Sequence, residues 1–342
     1  MEDDEALLDR LTRIPKAELH VHLDGSLRAS TMFDLARERG VALPETSPDE
    51  LAHHMLVRDA TRLEDYLERF DRTLGVMQDA GALERIAFEL VEDHAAEHVR
   101  YVEVRFCPLL HTKEGLAPNE VLDATLRGLR RAEAVFPDVR AAIIVCALRS
   151  HPSEKTLEMS ELAIAYAHDG VCGFDIAGAE AGNPVRDHVQ AFDRAAAAGM
   201  PITIHAGEGY GPESIRQALE LGHALRIGHG TRLREDPQLL EMVRSQGVPL
   251  EICLTSNVQT RVVASHADHP AAHYLRAGIP VSLGTDNRLM SGVTLTNEYQ
   301  HASDALDMTW SELVKVARAG FEHAFVSPKQ REEMLRVFDQ AI

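Results

Sequence analysis

The chain has 342 residues, 45% of them apolar, and carries 54 acidic against 35 basic side chains, a net charge of −19. That apolar share supports a substantial core and excludes a disordered chain. So acidic a surface repels phosphate backbones and anionic lipid heads, which argues against nucleic acid or membrane as a partner. The acidic start MEDDEALLDRLTR lacks the basic-then-apolar order of a signal peptide, and no apolar run reaches membrane-spanning length. Cys107, Cys146, Cys172 and Cys253 form no CxxC pair, and a reducing, cytoplasmic compartment is expected.

In chain order, the first apolar run is AELHVHL, 17–23. A long connection follows over 24–98, with helical stretches that include 61–79 and 81–97. Further runs lie at 99–106, 140–148, 171–179, 201–207, 226–230, 249–256 and 280–286. Between them, helices are expected at 118–135, 153–168, 185–198, 212–221, 235–246 and 269–277, several of them opened or closed by Pro or Gly. Strand alternating with helix predicts a parallel sheet. Eight such units predict a (β/α)8 barrel with a helical insertion after strand one and extra C-terminal helices near 309–320 and 327–340. Residues 1–342 are read as a single domain. The alternative, a doubly wound open sheet, lacks the expected GxGxxG after its first strand.

Barrel chemistry sits at the C-terminal ends of the strands, and unusual polar residues recur there. His20 and His22 close the first run, His205 the fifth, His229 the sixth and Asp286 the eighth. Two residues apart on a strand, His20 and His22 share a face and can ligate one metal. His205 and Asp286 would reach the same rim. Three histidines and a carboxylate suit zinc or a similar divalent ion, with a position left for water. Singly, each residue has a plainer reading. An HxH pair or His205 can be hydrogen-bonded core histidines, and Asp286 before Asn287 can be a turn or helix cap.

The blocks PKAELHVHLDGSLR, DIAGAE, HAGE, RIGHG and SLGTDN, in this order and spacing, resemble the signature of the adenosine deaminase family. The resemblance runs from about residue 14 to residue 300. It implies an amidohydrolase-type barrel with one zinc per chain, held by His20, His22, His205 and Asp286. Glu208 would shuttle the proton to purine N1, and His229 would orient and help deprotonate the attacking water. The backbone N–H of Gly178 would meet purine N3, and the Asp24 carboxylate the ribose 5′-hydroxyl. An Asp-Gly pair can also be a plain turn.

Two departures stand out. Where the family commonly reads NTDD, this chain reads GTDN. Asn287 replaces a carboxyl that donates to purine N7, a contact an amide can keep. Gly284 replaces an asparagine, and a looser or larger pocket is expected from it. The implied reaction is deamination of adenosine or 2′-deoxyadenosine to inosine or 2′-deoxyinosine plus ammonia. The alternatives are a modified adenosine such as 6-amino-6-deoxyfutalosine, or free adenine. A two-metal hydrolase would need a lysine in the third or fourth run, and neither RAAIIVCAL nor VCGFDIAGA has one. A barrel that binds without turnover would not need the full set of reactive residues.

Overall fold

The computed structural model describes residues 2–58, 67 and 69–342. Among the described residues there are eight strands: β1 (Lys16–His22), β2 (Val99–Phe106), β3 (Arg140–Leu148), β4 (Val171–Ala177), β5 (Thr203–Ala206), β6 (Arg226–His229), β7 (Leu250–Ile252) and β8 (Val281–Leu283). They pair in parallel as β1-β2-β3-β4 and β5-β6-β7-β8. Backbone bonds join the two sheets at both seams. Phe174 N–H donates to Pro201 O at 2.9 Å, tying β4 to the start of β5. At the other seam, Asp286 N–H donates to His20 O at 2.9 Å and His22 N–H to Asp286 O at 2.7 Å. The strands therefore run in sequence order around the expected (β/α)8 barrel. The second seam is clamped by three of the residues singled out from the sequence.

Helices start where the chain offers caps. The Asp79 carboxylate accepts from Ala82 N–H and opens Ala80–Ala96. Asp236 caps Pro237–Gln246, which Gly247 ends at φ 65°. The insertion after β1 carries helices Ala29–Arg39, Pro48–Met55, Phe70–Val76 and Ala80–Ala96. Much of the first half of the helix expected at 61–79 lies outside the described residues. At the C-terminus, Trp310–Glu322 and Pro328–Ala341 both open with capping boxes.

Some boundaries differ from the sequence pattern. The run at 249–256 is strand only over Leu250–Ile252, because Leu254–Gln259 turns into a short helix. The eighth run likewise ends at Leu283. Helices Glu2–Arg13 and Leu295–Leu306 were not expected; the latter is set by a Thr294–Asn297 capping box. No helix among the described residues is long and apolar enough to cross a membrane.

The barrel interior is not purely apolar. Arg105, Arg226, Glu103, Asp175 and Glu251 are all buried inside it. Arg226 Nε donates to Glu251 Oε1 at 2.6 Å, and its Nη2 donates to Glu103. Each buried charge thus meets an opposite one, the condition for burial at tolerable cost.

Candidate active site

One ligand atom from each of His20, His22, His205 and Asp286 falls within 4.8 Å of the other three. His22 Nε2 and His205 Nε2 are 3.1 Å apart across 183 residues of sequence. Asp286 Oδ1 lies 3.7 Å from His20 Nε2 and 3.4 Å from His22 Nε2. Burial holds all three histidines well below the usual imidazole range, reinforced by Arg105 in each case, by neighbouring imidazoles at His20 and His22, and by Arg149 at His205. Neutral imidazoles with nitrogens aimed at one point, His20 Nε2 having no partner, are what a divalent cation needs. Ser256 Oγ donates to Asp286 Oδ2 at 2.6 Å, which leaves Oδ1 for that point. Three nitrogens and one oxygen fit zinc better than magnesium or calcium.

A second layer sets the ring orientations. Glu251 Oε2 accepts from His20 Nδ1 at 2.9 Å. Asp175 Oδ2 lies 2.9 Å from His205 Nδ1. Occupying Nδ1 of His20 in this way leaves its Nε2 free for a metal. Arg105 bridges the same two oxygens, Nη1 to Asp175 Oδ2 at 2.9 Å and Nη2 to Glu251 Oε2 at 2.7 Å. One guanidinium on β2 thereby braces histidines on β1 and β5.

Glu208 stands beside this cluster on the turn after β5. The Glu180 carboxylate accepts from three successive backbone donors there: Gly207 N at 3.0 Å, Glu208 N at 2.8 Å and Gly209 N at 2.9 Å. Glu208 Oε1 accepts from Thr260 Oγ1 at 3.1 Å, and Oε2 lies 3.6 Å from His229 Nε2. Burial, then the charges of Asp286 and Glu180, push the Glu208 carboxyl well above the usual range. Its surroundings therefore favour the protonated form of Glu208. Backbone strain marks the same rim. His229 (φ 64°) and Asp286 (φ 58°) both occupy the left-handed region that side chains rarely adopt.

The residues assigned to substrate contacts lie on neighbouring turns. Asp24 is buried, its Oδ1 has no partner, and burial pushes its carboxyl up to about 7. Gly178 follows β4 at φ +97°, a conformation that favours glycine. Asn287 is buried with an unpartnered Oδ1 and lies over Gly25, where an added Cβ would overlap its amide. The expectation for Gly284 is corrected. A Cβ there would come within 2.8 Å of His20 Cβ and 3.0 Å of Glu18 Oε1, so the glycine seats β8 against β1 and opens no space. Glu18 fills that region and accepts from Thr285 Oγ1 at 3.1 Å.

Sequence reasoning missed Arg105, Asp175, Glu180, Glu251, Ser256 and Thr260. Their signal was present but faint: VRYVEVRF and PLEICLTS carry charges inside otherwise apolar strands, and DIAGAE has an acid at each end.

Fold and site together are those of a metal-dependent, amidohydrolase-type barrel. The profile of the adenosine deaminase family matches residues 15–341. A protein of Mycobacteroides abscessus named adenosine deaminase is 41% identical over 97% of this chain and 95% of its own. One of Clostridium perfringens with the same name is 37% identical over 95% of this chain and 98% of its own. The crystal structure of an adenine deaminase from Arthrobacter aurescens superposes with a TM-score of 0.89 at 28% identity, covering 96% of this chain and 98% of that one. This chain belongs to the adenosine deaminase family and is a hydrolytic deaminase.

Proposed function

We propose that this deaminase, read as one domain over residues 1–342, replaces the 6-amino group of adenosine or 2′-deoxyadenosine by oxygen, with one zinc held by His20, His22, His205 and Asp286. The observation that carries the reading is the meeting of three buried imidazoles and Asp286 at one barrel rim, with the Glu208 carboxyl beside them pushed well above its usual range. A bound divalent ion supplies a Lewis acid that brings the pKa of water toward neutrality.

The chain's own residues do the rest. Addition of water oxygen at C6 breaks ring aromaticity, so N1 must gain a proton. Glu208 holds that proton at the start and is placed to give it to N1. His229 orients the attacking oxygen. Of the two protons of the attacking water, one replaces that given up by Glu208 and the other goes to the amino nitrogen, so the C6–N bond breaks with ammonia leaving and the carbonyl of the product forming. The Gly178 N–H is assigned to N3 and the Asn287 amide to N7. Asp24, buried with an unsatisfied oxygen, supports a substrate that carries a 5′-hydroxyl over free adenine. Four cysteines without a disulfide support a reducing, cytoplasmic setting.

The test is ammonia release from adenosine, 2′-deoxyadenosine, adenine and a futalosine-type aminonucleoside, with metal content measured on the same sample. Turnover of the first two with about one zinc per chain is expected. No turnover of adenosine, or full activity without metal, overturns the reading.

A further inference from the structure

Behind His229 lies a buried hydrogen-bonded chain that leads away from the substrate side. It runs through Asn257 to His269 and ends on a backbone amide. We propose that Asn257, held by His269, is the positioning residue that fixes the proton of His229 on Nε2. The inference rests on the reading of His229 as a residue of the reacting site.

One donor in this hydrogen-bonded chain cannot change, because a backbone N–H only donates. Ala271 N–H donates to His269 Nδ1 at 3.2 Å. That nitrogen is therefore bare, and a neutral ring carries its hydrogen on Nε2. His269 does stay neutral, since burial and nearby Arg234 press it down to about 3. Its Nε2 lies 3.0 Å from Asn257 Oδ1, which also accepts from Thr231 Oγ1 at 2.6 Å. With two donors at one end, the amide oxygen belongs there and the NH2 group at the other. Asn257 Nδ2 is 3.1 Å from His229 Nδ1. An amide NH2 only donates, so His229 Nδ1 accepts. The neutral imidazole then carries its hydrogen on Nε2, the nitrogen that faces Glu208.

This tautomer decides what His229 can do. A base acting through Nε2 would need that nitrogen bare. The relay supplies the opposite form, a fixed N–H donor aimed at the place where the attacking oxygen arrives. The neighbours of Asn257 on the helix Leu254–Gln259 and at its end act alike: Ser256 holds Asp286 and Thr260 holds Glu208. One short turn thus positions a proposed metal ligand, the proton donor and the orienting histidine.

The test reads the tautomer directly, by long-range 1H–15N NMR of zinc-loaded, 15N-histidine-labelled protein, with the His229 signals assigned from a His229→Gln spectrum. The parent should show His229 protonated on Nε2. Asn257→Asp, whose carboxylate accepts, should move the proton to Nδ1 and lower kcat on the order of 100-fold, as expected for losing one oriented donor, with KM and zinc content little changed. His269→Gln, which keeps a donor for the Asn257 oxygen, should restore most of the activity lost in His269→Leu. A parent spectrum with the proton on Nδ1 overturns the proposal, whether or not any variant folds. So does an Asn257→Asp protein with parent kcat and an unmoved tautomer. A His229→Gln enzyme with full kcat would instead remove His229 from the reaction, and would leave the tautomer result standing by itself.

Discussion

Replacing Glu251 by Gln tests how the proposed metal site is braced. Burial raises Glu251, but Arg105 and Arg226 outweigh it and hold the carboxyl down at about 2. Its two oxygens accept from four donors: His20 Nδ1 at 2.9 Å, Arg105 Nη2 at 2.7 Å, Arg226 Nε at 2.6 Å and Thr203 Oγ1 at 2.8 Å. In Glu251→Gln an NH2 group must face one of those pairs of donors. Removing one partner of a buried charge pair costs about 3–5 kcal/mol. Against a total of about 5–15 kcal/mol the variant should fold, with a lower unfolding midpoint. With the NH2 turned to the pair that includes His20, the acceptor that fixes the His20 tautomer is lost and metal affinity should fall about 10- to 100-fold. Because the folded pKa is depressed, the carboxylate's stabilisation is complete above the unfolded value near 4.3 and fades as pH falls toward 2. The gap between parent and variant should therefore be constant at neutral pH and narrow below about pH 4. Urea unfolding of the metal-free proteins and competition with a chelator measure the two effects separately. A variant within about 1 kcal/mol of the parent, with unchanged metal affinity, refutes the bracing role.

Glu208→Gln should keep its metal and lose turnover by about 10²–10⁴, and near-parent kcat would end its assignment as proton donor. Asp24→Ala should raise KM for adenosine about tenfold, one hydrogen bond's worth, and barely affect 5′-deoxyadenosine. Equal changes for both would remove Asp24 from the ribose. Asn287→Leu should weaken adenosine more than its 7-deaza analogue, and parallel losses would exclude an N7 contact. Gly25→Ala forces a Cβ into the Asn287 amide, so it should cost about 1–3 kcal/mol and raise KM together. An unchanged KM would show that the pose of Asn287 is irrelevant to binding.

The sequence by itself determined the alternation of strand and helix, because apolar period and Gly or Pro punctuation are local properties. It also placed His20 and His22 on one face, since strand periodicity is two. The family blocks picked out His205, Glu208, His229 and Asp286 as well. Only the closed barrel decided that these residues meet. The β1–β8 seam joins Asp286 to the backbone of both His20 and His22, across more than 260 residues. The buried charges were equally illegible. Arg105 and Glu251 look like ordinary strand polar residues until the barrel brings five strands' side chains together. Gly284 shows the reverse error, since a missing side chain read as open space is in fact the close approach of two strands. The proton on His229 depends on the orientation of an amide 28 residues away, and that orientation depends on one backbone N–H beyond it. A tautomer is set by which donors and acceptors converge in space, and neither composition nor spacing along the chain contains that information.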